Sequence, residues 1–177
     1  MAVESRLIVG QRVSQACNDK EQLVPSVEAI VAVAGPVETV LADSGFYSQE
    51  AVAVIEGRKG AEGSTGITVF TAMEKTGHHR SVADLEKRDD PPAPEAGASP
   101  GEVMRHRLKT AAGKAKYKLR QQTVEPVFGI IKSVLGFRQF LLRGLQKVSL
   151  EWELVSLAYN CKRLHRLGAG LKLGQAG

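Results

Sequence analysis

Cysteine, aromatic residues and long apolar runs are all scarce in this chain. Two of its 177 residues are cysteines and 5% are aromatic. Cys17 and Cys161 show neither the spacing of a metal site nor a disulfide framework, which favours a reducing compartment. The longest apolar run is far shorter than the roughly 18–20 residues that span a membrane, and the N-terminal residues lack a signal-peptide pattern. These absences predict a cytoplasmic protein without a membrane partner.

Acidic residues become scarce after residue 103. Residues 1–103 carry 9 Lys and Arg against 16 Asp and Glu, whereas residues 104–177 carry 15 against 3. The net charge of +5 therefore hides an acidic part and a strongly basic part. A basic region of this size predicts a surface that binds a polyanion such as nucleic acid. A solvated basic helix without a partner is the alternative.

Strand-like and helix-like patterns alternate over the first 73 residues. Three stretches rich in apolar and β-branched residues are predicted strands: Arg6 to Ser14, Glu38 to Ala42 and Ile67 to Met73. Apolar residues at helical spacing predict a helix from Asp19 or Pro25 to Gly35, and another from Gln49 to Gly57 that Ser48 caps. This alternation predicts an α/β fold.

Four segments make up the predicted organisation. Residues 1–83 form the N-terminal part of an α/β core, and residues 84–103 form a disordered, Pro-rich linker or insertion. Residues 104–167 form a basic helical part, and residues 168–177 a flexible tail. The predicted helices of the basic part are Met104 to Leu119, Thr123 to Leu135 and Val148 to Leu167. The last helix has a wide apolar face, which favours packing against a sheet. One stripe of that face is Leu150, Leu154, Leu157, Cys161 and Leu164, and a second stripe beside it is Val148, Trp152, Val155 and Tyr159.

One candidate functional residue follows the second predicted strand. Asp43 ends that strand, and Ser44 and Gly45 then form a tight turn. In a parallel sheet, side chains at the carboxyl ends of strands line the crevice where ligands bind. An aspartate there is a plausible metal ligand. A turn or helix-capping role is the alternative interpretation of Asp-Ser-Gly.

A second candidate is the acid that stands almost alone in the basic part. Glu125 shares a predicted helix face with Phe128, Gly129 and Lys132, at positions i, i+3, i+4 and i+7. A carboxylate, a small residue and a cation on one face suit a metal-assisted site that acts on a phosphate backbone. The alternative is a partly exposed acid that pairs with Lys132 or Arg120. We expect Pro126 to kink the helix, or to place Glu125 in a first turn that Thr123 caps.

Two blocks resemble the catalytic region of DDE-type insertion-sequence transposases. The first is Gln121 to Lys132, in which Glu125 and Lys132 have the spacing of the family signature and Tyr117 and Arg120 precede them. The distance from Arg120 to Glu125 is one residue longer than in the commonest form of the signature. The second block, Leu41 to Ser48, resembles the strand end that carries the middle acid of the family.

The resemblance implies an incomplete ribonuclease-H-like α/β fold of about three strands with flanking helices. It also implies that Asp43 and Glu125 are catalytic and bind Mg²⁺ or Mn²⁺, which act in DNA phosphoryl transfer. Tyr117, Arg120 and Lys132 are the implied DNA contacts, and the implied partner is the DNA of transposon ends.

The family uses three acids, and the strand that carries the first acid has no match in this sequence. The first recognisable strand, Arg6 to Ser14, resembles the third strand of the family. We therefore expect an N-terminally truncated transposase that is inactive alone. A non-catalytic DNA-binding remnant that inhibits or partners a full-length transposase is the alternative, and it would form a homo-oligomer or associate with that enzyme. A different nuclease of the same fold is a third alternative, against which the spacing from Glu125 to Lys132 argues.

Overall fold

The computed structural model describes residues 1–57, 66–73 and 89–168. The chain divides into two compact units. We call Asn18–Lys118 the sheet unit, and Met1–Cys17 together with Leu119–Gly177 the helical unit. The elements are β1 (Thr39–Ala42), β2 (Thr68–Thr71), α1 (Leu23–Ala34), α2 (Gln49–Glu56), α3 (Pro100–Lys109), α4 (Ala111–Ser133), α5 (Leu145–Gly168) and two 3₁₀ turns, Lys20–Gln22 and Ser44–Phe46. Part of the predicted linker, residues 84–88, and the tail from residue 169 onward lie outside the described residues.

Two parallel strands form the sheet of the sheet unit. Thr39 pairs with Thr68 at one end of β1 and β2, and Ala42 pairs with Thr71 at the other. The hydroxyl of Thr71 donates to the backbone carbonyl of Asp43 at 2.9 Å, which closes the carboxyl end of the sheet. Strands alternating with α1 and α2 confirm the predicted α/β class. The described residues contain two strands, so the ribonuclease-H-like arrangement of about three strands stays a prediction.

The core of the sheet unit draws apolar side chains from every neighbouring element. Leu23 and Val27 come from α1, Val52 and Ile55 from α2, and all four are almost fully buried. Ile67 precedes β2, Val69 lies in β2 and Met104 lies in α3, and all three belong to the same cluster. Ala42 of β1 and Ala51 of α2 complete it. Burying side chains of this size stabilises a fold by about 1.5–3 kcal/mol each. The apolar residues at helical spacing thus supply the buried positions of α1 and α2.

An ion pair holds α3 against the sheet. The Arg107 guanidinium donates to the Glu56 carboxylate at the end of α2 and to the backbone carbonyl of Val69 in β2. The same carboxylate accepts from the backbone N–H of Val69 at 3.0 Å. Arg107 also lies over the Phe70 ring, 5.6 Å from its centroid. One cation of the basic region therefore has a structural role inside the sheet unit.

Helices α4 and α5 form the core of the helical unit. Val127 and Ile131 of α4 and Tyr159 of α5 are buried together. Trp152 packs against this cluster and stacks on Phe128, with ring centroids 5.9 Å apart. The predicted second apolar stripe of α5 is thus confirmed as its packed face.

The other stripe of α5 is exposed, so the prediction that the whole face packs against a sheet is wrong. Leu150, Leu154, Leu157 and Leu164 are 53–67% exposed. The face that packs is narrower than the sequence suggested: Tyr159 is buried in the core of the helical unit, and Trp152 and Val155 pack against it. Four exposed leucines on one helix are a sizeable apolar surface.

The stretch Arg6 to Ser14 is not a strand, contrary to prediction. A strand needs a neighbouring backbone for its ladder of hydrogen bonds, and this stretch has none among the described residues. Instead, the Asn160 side chain accepts from the backbone N–H of Ile8 and donates to its carbonyl, both at 2.9 Å. A side-chain amide on α5 thereby replaces the neighbouring strand at Ile8.

The basic helices begin and end at positions that the sequence did not predict. α3 begins at Pro100, where Ser99 and Glu102 form a capping box, and ends at Lys109. α4 then continues without interruption from Ala111 through Pro126. Gly113 does not break α4. A Cβ at Gly113 would lie 1.8 Å from the backbone oxygen of Arg107, so the close approach of the two helices requires glycine there.

Candidate active site

Asp43 stands at the carboxyl end of β1, as predicted. Its side chain is exposed and accepts from the backbone N–H of Ser44 at 2.8 Å, which caps the 3₁₀ turn Ser44–Phe46. The capping interpretation of Asp-Ser-Gly is therefore correct for one carboxylate oxygen. Capping and metal binding are compatible, because a carboxylate has two oxygens that together accept about four hydrogen bonds or ligand bonds.

Glu125 lies in the interior of α4 rather than in a first turn. The Thr123 hydroxyl does not cap a helix, since it donates to the backbone carbonyl of Leu119 at 2.7 Å within α4. The first-turn position is therefore wrong, and the positive end of a helix dipole does not stabilise the Glu125 carboxylate, because that effect fades beyond the first turn. The Glu125 side chain is exposed, so it is accessible to a ligand.

Lys132 shares the exposed face of Glu125 on α4. The two residues are separated by about 20° around an α-helix, at 3.6 residues per turn. Phe128 and Gly129 lie between them on the same face, and no ion pair joins Glu125 to Lys132 in the described part of the chain. The face thus presents one carboxylate and one cation about two helical turns apart, roughly 10 Å along the axis of α4.

Arg120 points away from this face. Five residues separate Arg120 from Glu125, which on a continuous helix rotates the two side chains about 140° apart. A spacing of four residues would have left about 40°. Arg120 and Tyr117 are both half-buried, whereas Lys132 is exposed. The one-residue departure from the family spacing therefore has a structural consequence: Arg120 and Glu125 occupy different sides of α4.

The candidate residues are distributed over both units. Asp43 and Tyr117 belong to the sheet unit, and Arg120, Glu125 and Lys132 to the helical unit. No group of three or more His, Cys, Asp or Glu side chains that could hold a metal ion occurs within residues 1–57, 66–73 and 89–168. Each candidate carboxylate therefore stands apart from any dense cluster of acids inside its own unit.

Residues 94–165 match the family model described as transposase DDE domain. Over this C-terminal segment the chain is similar to the transposase DDE domain. The match confirms the resemblance drawn from Glu125 and Lys132. The transposase segment takes in α3, α4 and nearly all of α5, with Tyr117 and Arg120, while Asp43 lies outside it.

No curated protein and no solved structure matches the chain. Over the described ranges, no helix combines the length and the apolar character that crossing a bilayer requires.

Sequence reasoning missed a cluster of cations that the fold assembles from distant parts of the helical unit. Arg6 near the N-terminus lies beside Lys162, Arg163 and Arg166 of α5, and all four line one cavity. The sequence predicted a polyanion-binding surface in the basic region, which includes the three cations of α5. It held no signal for Arg6, because the hydrogen bonds that bring Arg6 to α5 join residues more than 150 positions apart.

Proposed function

We propose that this chain is part of a DDE-type transposase and acts in metal-dependent phosphoryl transfer on DNA. The family match over residues 94–165 is the observation that carries the proposal. It is supported by Glu125 and Lys132, which lie exposed on one face of α4 with the spacing of the family signature. Asp43, exposed at the carboxyl end of a parallel strand, stands where α/β proteins commonly place ligand-binding residues.

Asp43 and Glu125 are the proposed catalytic metal ligands. The donor set fits Mg²⁺ or Mn²⁺, since both take oxygen ligands and Mg²⁺ in particular leans on one or two carboxylates plus the substrate phosphates. A bound divalent ion would stabilise charge on the phosphate oxygens during displacement. The turn at Ser44 restrains Asp43 through the hydrogen bond to its carboxylate, so this ligand would be held in place before any metal binds.

Positive charge of the helical unit supports DNA, in particular transposon ends, as the proposed partner. The residues of that unit include 11 Lys and Arg against 4 Asp and Glu, a net charge of +7. Lys132 is the proposed phosphate contact beside Glu125. Arg120 and Tyr117 are proposed DNA contacts from other sides of α4. A DNA strand that touches all three residues would wrap around α4 rather than follow one of its faces.

We further propose that the chain does not turn over by itself. The resemblance implies three acids, and this chain supplies two, Asp43 and Glu125. A non-catalytic role is the second candidate: the chain would bind DNA and associate with a full-length transposase or with another copy. The exposed leucines of α5 favour it, because an apolar stripe of that size is a typical protein-binding surface.

Two measurements test these proposals: an end-cleavage assay with Mg²⁺ or Mn²⁺, and the affinity of the chain for DNA. We expect the purified chain to bind DNA with a strong salt dependence and to cleave it no faster than background. The double variant Asp43→Ala, Glu125→Ala should then keep the same DNA affinity. Clear turnover by the wild-type chain that this variant loses would contradict the proposed inactivity and establish an enzyme. Absence of any DNA binding would contradict both candidate functions.

A further inference from the structure

The helical unit contains a cavity of about 460 Å³ between α4 and α5. This volume lies within the roughly 300–1,000 Å³ of pockets that hold small molecules. One side is aliphatic and comes from Pro126, Val127, Ile130 and Val134. The lining also includes the four cations introduced above, Arg6 with Lys162, Arg163 and Arg166. We call the aliphatic residues the floor of the cavity and the four cations its rim.

Hydrogen bonds to the N-terminal backbone build the cationic rim. The Arg163 Nε donates to the backbone carbonyl of Ser5 at 2.7 Å. The Tyr159 hydroxyl donates to the backbone carbonyl of Arg6 at 3.0 Å. Arg6 has a φ of 57°, a left-handed conformation that is uncommon for a residue with a side chain. The two hydrogen bonds hold this conformation, and so keep Arg6 beside α5.

The rim has no negative counterpart. No acidic residue lines the cavity, and none of the four cations forms an ion pair with another part of the described chain. Burial raises the pKa of the Tyr159 phenol, and the nearby positive charges of Arg163 and Arg6 oppose that rise. Four neighbouring cations repel one another, so an anion that enters the cavity relieves this repulsion.

A bare phosphate would use only half of this cavity. The aliphatic floor offers no hydrogen-bond donors, and its natural complement is a flat apolar group. A nucleotide has both parts, since its phosphate is anionic and its base has apolar faces that stack on apolar or aromatic side chains. We propose that this cavity holds one unpaired nucleotide of a DNA strand, with its phosphate at the rim and its base on the floor.

The proposal rests on the DNA-binding function proposed above and narrows it to a kind of DNA. A base inside a duplex must leave its stack to enter the cavity, which costs free energy, whereas an unpaired or terminal base avoids most of that cost. The cavity should therefore favour single-stranded tails over blunt duplexes.

Thymidine 5′-monophosphate is a suitable probe, and isothermal titration of the full chain measures its affinity. Val134 at the cavity and Val33 on α1 provide matched variants, because both are exposed, at 56% and 78%. Val134→Glu adds a negative charge at the floor, and Val33→Glu adds the same charge in the sheet unit. We expect Val134→Glu to weaken the nucleotide affinity at least about tenfold, and Val33→Glu to leave it unchanged. Equal affinities in the two variants would overturn the proposal.

Two further measurements separate this proposal from general DNA binding. Thymidine without phosphate and inorganic phosphate should each bind more weakly than the nucleotide, and inorganic phosphate binding as tightly as the nucleotide would show a bare anion site instead. A duplex with a three-nucleotide tail should bind more tightly than a blunt duplex, and Val134→Glu should abolish that difference. If both duplexes bind equally and the nucleotide does not bind, the cavity proposal fails while DNA binding stands. If no DNA binds, the proposed function fails first.

Discussion

The two units use the same residue types in opposite ways. In the sheet unit, Arg107 is neutralised by Glu56 and helps to hold α3 on β2. In the helical unit, Arg6 and Arg163 line a cavity whose described lining residues include no acid. The sequence of the sheet unit carries a net charge of −2, against +7 for the helical unit. Basic composition alone therefore does not identify a DNA contact. A cation that pairs with an acid has a structural role, whereas a cation without an acidic partner is available to a ligand.

Their cores differ as well. Nine buried apolar residues form the described core of the sheet unit, while three form that of the helical unit. The stability of the sheet unit should therefore depend on ordinary packing. The helical unit leaves a stripe of leucines exposed on α5 and should depend more on hydrogen bonds to its N-terminal segment.

The largest effect is expected from the core of the sheet unit. Ile55 on α2 is fully buried, with 0% exposure, so Ile55→Ala should lower the free energy of unfolding by about 2–5 kcal/mol. The neighbouring Val54 is 50% exposed, and Val54→Ala should change stability by less than about 0.5 kcal/mol. Chemical denaturation followed by circular dichroism measures both. Equal effects at the two positions would refute the described core.

A smaller loss of stability should follow from removing the structural cation. Arg107→Gln leaves Glu56 without its ion pair and should cost about 1–3 kcal/mol, because hydrogen bonds to charged groups are involved and the pair is partly solvated. DNA affinity should change little. Arg105→Gln, an exposed position on the same helix, is the control and should preserve stability. A marked loss of DNA affinity in Arg107→Gln at unchanged stability would reverse the roles that we assign.

Lys132→Gln in the helical unit should have the opposite effect to Arg107→Gln, changing DNA affinity and not stability. Stability should be preserved, since Lys132 is exposed. DNA affinity should fall uniformly across sequences, and the slope of log affinity against log salt concentration should shrink by about 0.9 for one lost phosphate contact. Lys20→Gln in the sheet unit makes the same charge change and should leave the slope as it is. Fluorescence anisotropy across a salt series measures the slopes, and identical slopes would exclude Lys132 as a phosphate contact.

The smallest effect concerns the capping box of α3. Ser99→Ala should cost about 1 kcal/mol, because the Ser99 hydroxyl accepts from the backbone N–H of Glu102. Hydrogen bonds from the Ser99 backbone and hydroxyl lower the pKa of Glu102. That interaction stabilises the fold at pH values above the ordinary pKa of glutamate. The stabilisation is lost as the pH falls through the lowered pKa of Glu102. The difference between wild type and Ser99→Ala should therefore shrink in acid. Ser133→Ala serves as the control, and a difference that grows in acid would contradict this assignment.

Local patterns predicted the sheet unit well. The strand before Asp43, the helix that Ser48 caps and the strand at Ile67 were correctly predicted, because alternation and capping depend on residues close in sequence. The position of Asp43 followed from the same local pattern.

Non-local features escaped prediction. The stretch Arg6 to Ser14 has the composition of a strand, but a ladder partner decides whether one forms, and Asn160 is 152 positions from Ile8. Pro126 was expected to kink a helix or to stand in its first turn, and the first-turn alternative is wrong, because α4 begins at Ala111 and runs through Pro126. The cavity was not predicted because its rim brings together residues far apart in sequence, Arg6 and the cations at the end of α5.

Divalent-ion binding tests directly whether Asp43 and Glu125 are metal ligands. Titration of Mn²⁺ followed by electron paramagnetic resonance should give the wild-type chain a Kd of about 1 mM or tighter. Asp43→Asn and Glu125→Gln should each weaken that affinity at least about tenfold, since each removes one proposed ligand charge. Glu153→Gln, an exposed acid on α5, should bind Mn²⁺ like wild type. Equal affinity in all four proteins, or no binding by wild type, would contradict the assignment of Asp43 and Glu125 as metal ligands.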